Sequence, residues 1–538
     1  MKMGHGFTLG VLALVAACAH RGAEQRETRA QEMVAVERPA LVVMLVVDQL
    51  SQELLDRHES AFTGGLRRLI DDGRWYVNAT HDFAGTNTAP GHATLSTGTY
   101  PSRHGVVANE WHELIDGAWL EVSNVGASTV QIIGHPDLAG VSPGQLMRTG
   151  LADWMLAADP RTLVSSVSSK DRGAVHPAAH VRGQVYWFEN EVGAFVTSTY
   201  YRDRTPDWID RFNGEVMAAH RSDTLWTSRV PPAEAWRSDP DTAAFEGDEA
   251  SPHFPHRFGA PGERTVFWEW FERTPMLDQA TLDLARIIVR ETGLGKDSVP
   301  DFLNVSLSQT DRVGHDYGPL SREQLDNLLR LDRSLGDFFE FLDATVGEGR
   351  WTAAMSADHG VLVTGQDQRT ADRSNTRRWT SDEEASFEAV CPEEPRSAGG
   401  SASGPGVVDS LAGLDFVAAV YTHDDLLRGD PADSFAVLER RSLYPGRARE
   451  VCSPRGVEVR FDPWFLDREL GGGHGTPYWY DRHVPMIFLG PGIAAGRDRE
   501  RASTVDFAPT LARLLGIPYP DDLDGAPLNG VVGPATGR

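Results

Sequence analysis

Cysteine is nearly absent from this chain: Cys18, Cys391 and Cys452 are the only three in 538 residues. That excludes a disulfide-built scaffold or a cysteine-rich metal ribbon. Basic charge is scarce as well, with 51 Lys and Arg against 77 Asp and Glu and a formal net charge of −26. Such a surface repels nucleic acid and anionic lipid, so a nucleic-acid partner is not expected. An anionic substrate would need a local cationic site. Long apolar runs are missing too. Phe7 to Ala17 is apolar but too short for a stable membrane span, and no other segment is long and apolar enough. No repeat of fixed period is visible.

What is present at the N-terminus has the form of a targeting segment. Residues 1–17 read as a signal peptide, with Lys2 ahead of the apolar run. The run ends Val15-Ala-Ala-Cys18, which resembles the lipobox of bacterial lipoproteins, and Cys18 would then carry lipid. Ordinary cleavage after the same stretch is the alternative. Residues 18–39 are polar and aperiodic, as a flexible tether would be. The expected location is therefore outside the cytoplasm of a bacterium, periplasmic or held at the outer membrane only through the lipid anchor. In that oxidising setting Cys391 and Cys452 could pair; two unrelated buried thiols are the blander reading.

Continuous apolar runs mark the core. Leu41-Val-Val-Met-Leu-Val-Val47 suits a strand buried on both faces of a parallel sheet, with Asp48 at its C-terminal end, where ligand sites of open α/β sheets gather. A helical segment from Gly64 to Asp72 and a strand over Trp75–Ala79 follow. The alternation continues with a helix from Gly144 to Ala158 and a strand from Thr162 to Val167. Leu277–Glu291 then precedes Phe302–Leu307, and Glu323–Leu342 precedes Thr352–Ser356. Val484–Gly490 reads as a strand and Thr504–Leu515 as a closing helix. The expected architecture is an α/β/α sandwich with a mostly parallel central sheet, built from residues 40–183 and 270–538. Residues 184–269 break the pattern with hairpin-like strands at Gln184–Phe188 and Ala194–Tyr201 and then Trp- and Pro-rich sequence, and read as an inserted cap. Arg396 to Gly406 is rich in Ser, Gly and Pro and reads as a loop.

Two doublets carry the chemistry, Asp311-x-x-x-His315 and Asp358-His359, with Asp48 upstream and His474 downstream in Gly471-Gly-Gly-His-Gly-Thr476. Three carboxylates and three imidazoles divide into two half-sites of hard oxygen and borderline nitrogen donors, a set that suits a pair of Zn²⁺ ions. A hydroxyl between two such ions is poised for in-line attack on phosphorus. Asp311 and His315 would share a face if their segment is helical. Thr88 supplies a hydroxyl: with Pro90 in the first turn, it reads as the N-cap of a helix, in positive potential that favours an alkoxide and a bound phosphate. A lone Thr there would only cap. The surrounding ligands reverse those odds.

The motifs Val47-Asp-Gln49, Thr86-x-Thr-Ala-x-Gly-His92, Pro101-Ser-x-His-Gly105, Asn109-Glu-Trp111, Ser169-Lys-Asp-Arg-Gly173, Thr310-Asp-x-x-Gly-His315, Ala357-Asp-His-Gly360 and Gly473-His-Gly475 belong together. In that order the chain resembles the alkaline phosphatase superfamily, and within it the phosphate-irrepressible, PafA-type enzymes with a threonine nucleophile. The similarity runs from about Ala40 to the C-terminus. The resemblance implies an alkaline-phosphatase-like fold, two Zn²⁺ and a covalent phosphothreonine at Thr88. It implies that Asp48, Asp358 and His359 hold the zinc that also binds Thr88, while Asp311, His315 and His474 hold the zinc at the leaving group. Asn109, Lys170 and Arg172 are implied as the clamp on the phosphoryl oxygens. Two added cations favour a phosphate monoester, with its greater charge, over a diester. The expected substrates are small phosphate monoesters and a monomer is expected; a phosphodiesterase or nucleotide pyrophosphatase of the same superfamily is the alternative, ahead of a silent lipid-anchored binding protein.

Other features mislead. Cys452-Ser-Pro-Arg455 imitates the sulfatase motif Cys-x-Pro-x-Arg, but its spacing is one residue short and Thr88 holds the corresponding place. His92 and His104 read as structural hydrogen-bonders, and His112, His135, His176, His180 and His423 have no ligand-like spacing.

Overall fold

Strand Leu41–Val47 (β1) is buried at all seven positions, and its side chains alternate between two separate cores. Leu41, Val43, Leu45 and Val47 enter one apolar cluster, while Val42, Met44 and Val46 enter another. A strand covered on both faces has no polar side to show, hence the unbroken apolar run. Full burial of each such side chain is worth roughly 1.5–3 kcal/mol, so a charge placed anywhere along β1 has no solvent face to turn to. The computed structural model describes residues 38–241, 253–259, 266–363, 377–391, 405–428, 433–449, 452–463, 465–466 and 472–531. The signal segment, Cys18, nearly all of the tether and most of Arg396–Gly406 lie outside the described residues.

Eight further strands complete the central sheet: β2 (Arg74–Thr80), β3 (Val164–Ser168), β4 (Gln184–Glu189), β5 (Ala194–Val196), β6 (Asp301–Leu307), β7 (Trp351–Ser356), β8 (His483–Leu489) and β9 (Gly496–Ser503). Their order is β9-β2-β8-β7-β1-β6-β3-β4-β5. The run β7-β1-β6-β3-β4 is parallel throughout, and β9 is parallel to β2. Only β8 and the edge strand β5 run antiparallel to their neighbours.

Helices cover both faces. Helices α1 (Thr88–Thr97), α2 (Leu151–Ala158), α3 (Asp171–Ala178), α4 (Met276–Thr292), α5 (Gln309–Tyr317), α6 (Arg322–Leu342) and α7 (Phe507–Leu515) matter most to the site and the core. Leu282 and Leu284 of α4 and Leu335, Phe338 and Phe339 of α6 pack into one core; Trp154 of α2 and Leu511 of α7 pack into the other. The sheet is mostly parallel with helices on both sides, as the sequence implies.

Two expectations need correction, and one strand has no counterpart among them. The helix expected from Gly144 begins at Leu151, because Gly150 ends the extended approach and its N–H donates to the Asp153 carboxylate at 3.0 Å. The boundary at Gln184 falls inside the sheet: β4 pairs with β3 and β5 closes that edge, so the part that leaves the sheet starts after Val196. β9 escaped the reading because Gly-Arg-Asp-Arg-Glu-Arg-Ala-Ser is an edge strand with mostly solvated side chains.

A smaller antiparallel pair, Val417–Thr422 with Val457–Phe461, anchors a lobe near the C-terminal half. There a disulfide joins Cys391 to Cys452, buried with Leu411, Val457 and Val459. With the two cysteines 61 positions apart, the bridge should stabilise by about 4 kcal/mol through the unfolded chain. Denaturant unfolding of oxidised and reduced protein checks this, and coincident curves would show that the bridge constrains nothing.

Candidate active site and metal centre

The parallel strands deliver their C-terminal ends to one edge of the sheet, and the chemistry-bearing residues follow directly from those ends. Asp48 follows β1, Lys170 lies just past β3, Ser308 leads from β6 into α5, and Asp358-His359 follows β7. The loop after β2 runs to Thr88. Helix α5 puts Asp311 and His315 one turn apart on one face, where His315 Nε2 lies 3.0 Å from Asp311 Oδ1. His474 Nε2 approaches the same oxygen at 3.6 Å. Asp311, His315 and His474 thus form one group of donor atoms able to hold a metal.

The second group is Asp48, Asp311 and His359. His359 Nε2 is 3.4 Å from Asp48 Oδ1 and 3.7 Å from Asp358 Oδ2. Asp358, expected with Asp48 and His359, therefore stands beside this group, and Asp311 reaches both. One oxygen of Asp358 is taken up: its Oδ1 accepts the backbone N–H of Gln49 at 3.1 Å and of His359 at 3.0 Å.

The donors fit a metal. All three candidate imidazoles commit Nδ1–H to a backbone carbonyl: His315 to Gly472, His359 to Gly360 and His474 to Thr86, at 2.9–3.0 Å. That fixes the tautomer and leaves each Nε2 lone pair facing the carboxylates, the arrangement a ligating histidine needs. Asp48 Oδ1, Asp358 Oδ2 and His359 Nε2 are fully buried and have no hydrogen-bond partner among the described residues. Orphaned buried acceptors are costly unless a cation satisfies them. Burial pushes His474 well below the usual imidazole range, helped by His359 and His315, and it lowers His359 against the pull of Asp358. Both are therefore neutral and free to donate. Burial and the nearby Asp311 and Asp358 carboxylates push Asp48 well up, with Lys170 working against them. Burial also opposes ionisation of Asp311, yet Lys170 and His315 hold it well below the carboxylate range.

Lys170 bridges the two groups. Its buried ammonium donates to Asp48 Oδ2 at 2.6 Å and to Asp311 Oδ2 at 2.5 Å, leaving the opposite oxygens toward the imidazoles. Arg172, in the first turn of α3, donates its backbone N–H to Asp171 Oδ1 at 2.6 Å, but its guanidinium stays 3.7 Å from that carboxylate and its Nε has no hydrogen-bond partner among the described residues. Asn109 accepts the backbone N–H of Ala89 on Oδ1 at 2.9 Å, which leaves its Nδ2 to donate elsewhere. Asn124 steadies it, donating from Nδ2 to the Asn109 carbonyl at 2.6 Å.

Thr88 is buried at the first residue of α1. The N-cap is Asn87, not Thr88 as expected: Asn87 keeps extended backbone while Thr88 already has helical geometry, so the motif starts one residue earlier. Thr88 still lies in the positive field of the helix start. Gly91, one turn on, packs its Cα against the Asp358 backbone so closely that a Cβ would collide with the Asp358 carbonyl. His92 ties the pieces together, with Nδ1 2.9 Å from the Thr88 carbonyl and 3.3 Å from Asp358 Oδ2.

Three supporting residues had no clear signal in the sequence. Gln49 lies in a recognised motif but carried no role. Asp278 sits on α4, and its carboxylate accepts the N–H groups of Ser308 and Gln309 at the start of α5. Burial raises it to about 7 despite those bonds. Asp481 accepts from the Thr476 N–H and hydroxyl and so pins the loop carrying His474. His104, His112, His135, His176, His180 and His423 join neither metal group among the described residues.

Residues 42–388 match the type I phosphodiesterase / nucleotide pyrophosphatase family. Alkaline phosphatase PafA of Elizabethkingia meningoseptica is 31% identical over 533 residues, spanning 94% of this chain and 96% of that protein. The chain belongs to the alkaline phosphatase superfamily, among its PafA-like members. Alkaline phosphatase PhoV of Synechococcus elongatus is 29% identical over 535 residues, covering 94% of this chain and 95% of PhoV. The crystal structure of wild-type PafA superposes with a TM-score of 0.81 at 29% identity, over 93% of this chain and 100% of that one. A PafA-like phosphatase with two adjoining groups of candidate metal ligands is thus what the fold presents at the C-terminal edge of its sheet.

Proposed function

We propose that this PafA-like phosphatase hydrolyses phosphate monoesters through a phosphothreonine at Thr88, with two Zn²⁺ as cofactors. The observation that carries the reading is the trio of buried acceptors without partners, Asp48 Oδ1, Asp358 Oδ2 and His359 Nε2, beside the start of the helix that begins with Thr88. Asp48, Asp358 and His359 would hold the metal on the Thr88 side, and Asp311, His315 and His474 the metal on the leaving-group side. Bound there, two zinc ions supply positive charge at the attacking and leaving oxygens of an in-line displacement. Thr88 releases its hydroxyl proton to solvent as Oγ forms the new bond to phosphorus and the bond to the ester oxygen breaks, and the departing alcohol takes a proton from solvent. Water then attacks the phosphothreonine, releasing phosphate and restoring the Thr88 hydroxyl. Asn109 Nδ2 and Arg172 donate to the non-bridging oxygens, while Lys170 keeps its charge between the ligand carboxylates and the phosphoryl group.

The matched family takes its name from phosphodiesterases, so diester hydrolysis is the competing reading. Arg172, with no hydrogen-bond partner on Nε, favours the monoester, whose extra anionic oxygen can occupy it. The reading extends to the rest of the chain as export of a lipid-anchored monomer through residues 1–17 and Cys18, with residues 18–39 as tether and the part of 184–269 beyond β5 as a cap. No helix among the described residues is long and apolar enough to cross a membrane.

Release of p-nitrophenol from its phosphate ester, with and without added Zn²⁺, tests the activity. Asp311→Ala or His474→Ala should lose one bound metal per chain and most of the turnover, read by metal analysis alongside the assay. Either variant keeping full metal and full activity would refute the ligand assignment.

A further inference from the structure

Among the described residues, Gln49 is the one non-glycine residue near the candidate ligands held in the left-handed region, at φ +66°. A glutamine gains nothing intrinsic there, since its Cβ crowds the backbone; such a conformation persists where the surroundings impose it. Two hydrogen bonds do so here. The Gln49 backbone N–H donates to Asp358 Oδ1 at 3.1 Å, and its side-chain Nε2 donates to Asp311 Oδ1 at 2.7 Å. The side-chain amide is oriented by that contact, Nε2 donating and the carboxylate oxygen accepting. Oε1 then points the other way, buried and without a partner among the described residues, against Gly314. A Cβ at Gly314 would collide with that oxygen and crowd Gln324 Nε2, so the helix carrying Asp311 and His315 leaves room there for two glutamine side chains.

We propose that Gln49 is a positioning residue that cross-braces the two metal half-sites. Its backbone fixes a ligand of the half-site at Thr88, and its side chain fixes Asp311 of the leaving-group half-site. The two links are chemically separable, and the proposal rests on the two-metal reading above. Gln49→Met keeps the volume, the backbone N–H and a comparable left-handed cost, and removes only the donor to Asp311. Outer partners of metal ligands typically contribute 10–100-fold to affinity, so with Asp311 assigned to the leaving-group half-site the loss should fall on that metal.

The test is zinc titration of chelator-treated full-length protein, with circular dichroism to confirm the fold. In wild type two zinc ions bind per chain. Gln49→Met should weaken one of the two affinities by about 10–100-fold and leave the other within about threefold. In a His474→Ala background, which disables the leaving-group half-site, adding Gln49→Met should leave the remaining affinity unchanged. Unchanged affinities in Gln49→Met, or equal losses at both sites with a lowered unfolding temperature, would overturn the cross-brace while leaving the functional reading intact. Failure of the wild-type protein to take up zinc at all would overturn both.

Discussion

Thr88→Ala lowers phosphomonoester turnover by about four orders of magnitude or more, the scale seen when a nucleophile that works within a concerted unit is deleted. The expected protein is folded and keeps its metals, because Thr88 contributes its backbone to α1 whatever its side chain, and Ala is a good helix former at that position. The Thr88 carbonyl still accepts from His92. What disappears is the hydroxyl in the positive field of the helix start. Wild-type enzyme mixed with substrate and quenched in acid should yield a phosphopeptide containing Thr88. A phosphopeptide that excludes Thr88, or an alanine variant within tenfold of wild type, would rule out the proposed intermediate.

The second large effect separates Lys170 from Arg172. Charge-assisted hydrogen bonds contribute roughly 1.5–3 kcal/mol each, so losing both cations should cost about two to four orders of magnitude in kcat/KM for a monoester. The two losses differ in kind. Arg172, with Nε unpartnered, should matter chiefly to the substrate, so Arg172→Ala should spare a diester that lacks the extra anionic oxygen. Lys170 donates to Asp48 and Asp311, and its removal leaves buried carboxylates facing one another across the metal groups. Lys170→Ala should therefore depress both ester classes. The measurement is kcat/KM for p-nitrophenyl phosphate and its methyl diester in wild type, both single variants and the double. Equal losses on both esters in Arg172→Ala would assign that arginine to the fold and remove the argument for monoester preference.

Much of this was legible in the sequence, for a definite reason. Strands β1, β6 and β7 are buried at every position; β1 is apolar throughout, and β6 and β7 keep mainly apolar runs around the buried Asn304, Ser306 and Thr352, so their ends could be read closely. The residues at those ends then stood out as polar groups abruptly following apolar runs. β9 gave no such signal, because an edge strand may carry arginines and acids on a solvated face. The start of α2 was misjudged because Gly144 and Gly150 both punctuate the chain and only tertiary structure chooses between them. Asp311 reaching into both metal groups depends on where α5 docks on the sheet, and spacing along the chain cannot encode that. Gln49 and Asp278 act through hydrogen bonds to partners far along the chain and Asp481 through a loop contact with Thr476, so residue type alone was silent about them.

The contact of Gly91 with the Asp358 backbone has a bearing on how this enzyme can be re-engineered. Main chain meets main chain there, with no side chain between them to flex or be trimmed. The spacing between the start of α1 and the Asp358 segment is therefore set by the backbone, as a fixed gauge that side-chain exchange does not adjust. A serine in place of Thr88 inherits the same placement, so the proposed nucleophile is the interchangeable part. A wider or differently angled reaction centre would require rebuilding the loop after β7 and the start of α1 together, as one unit.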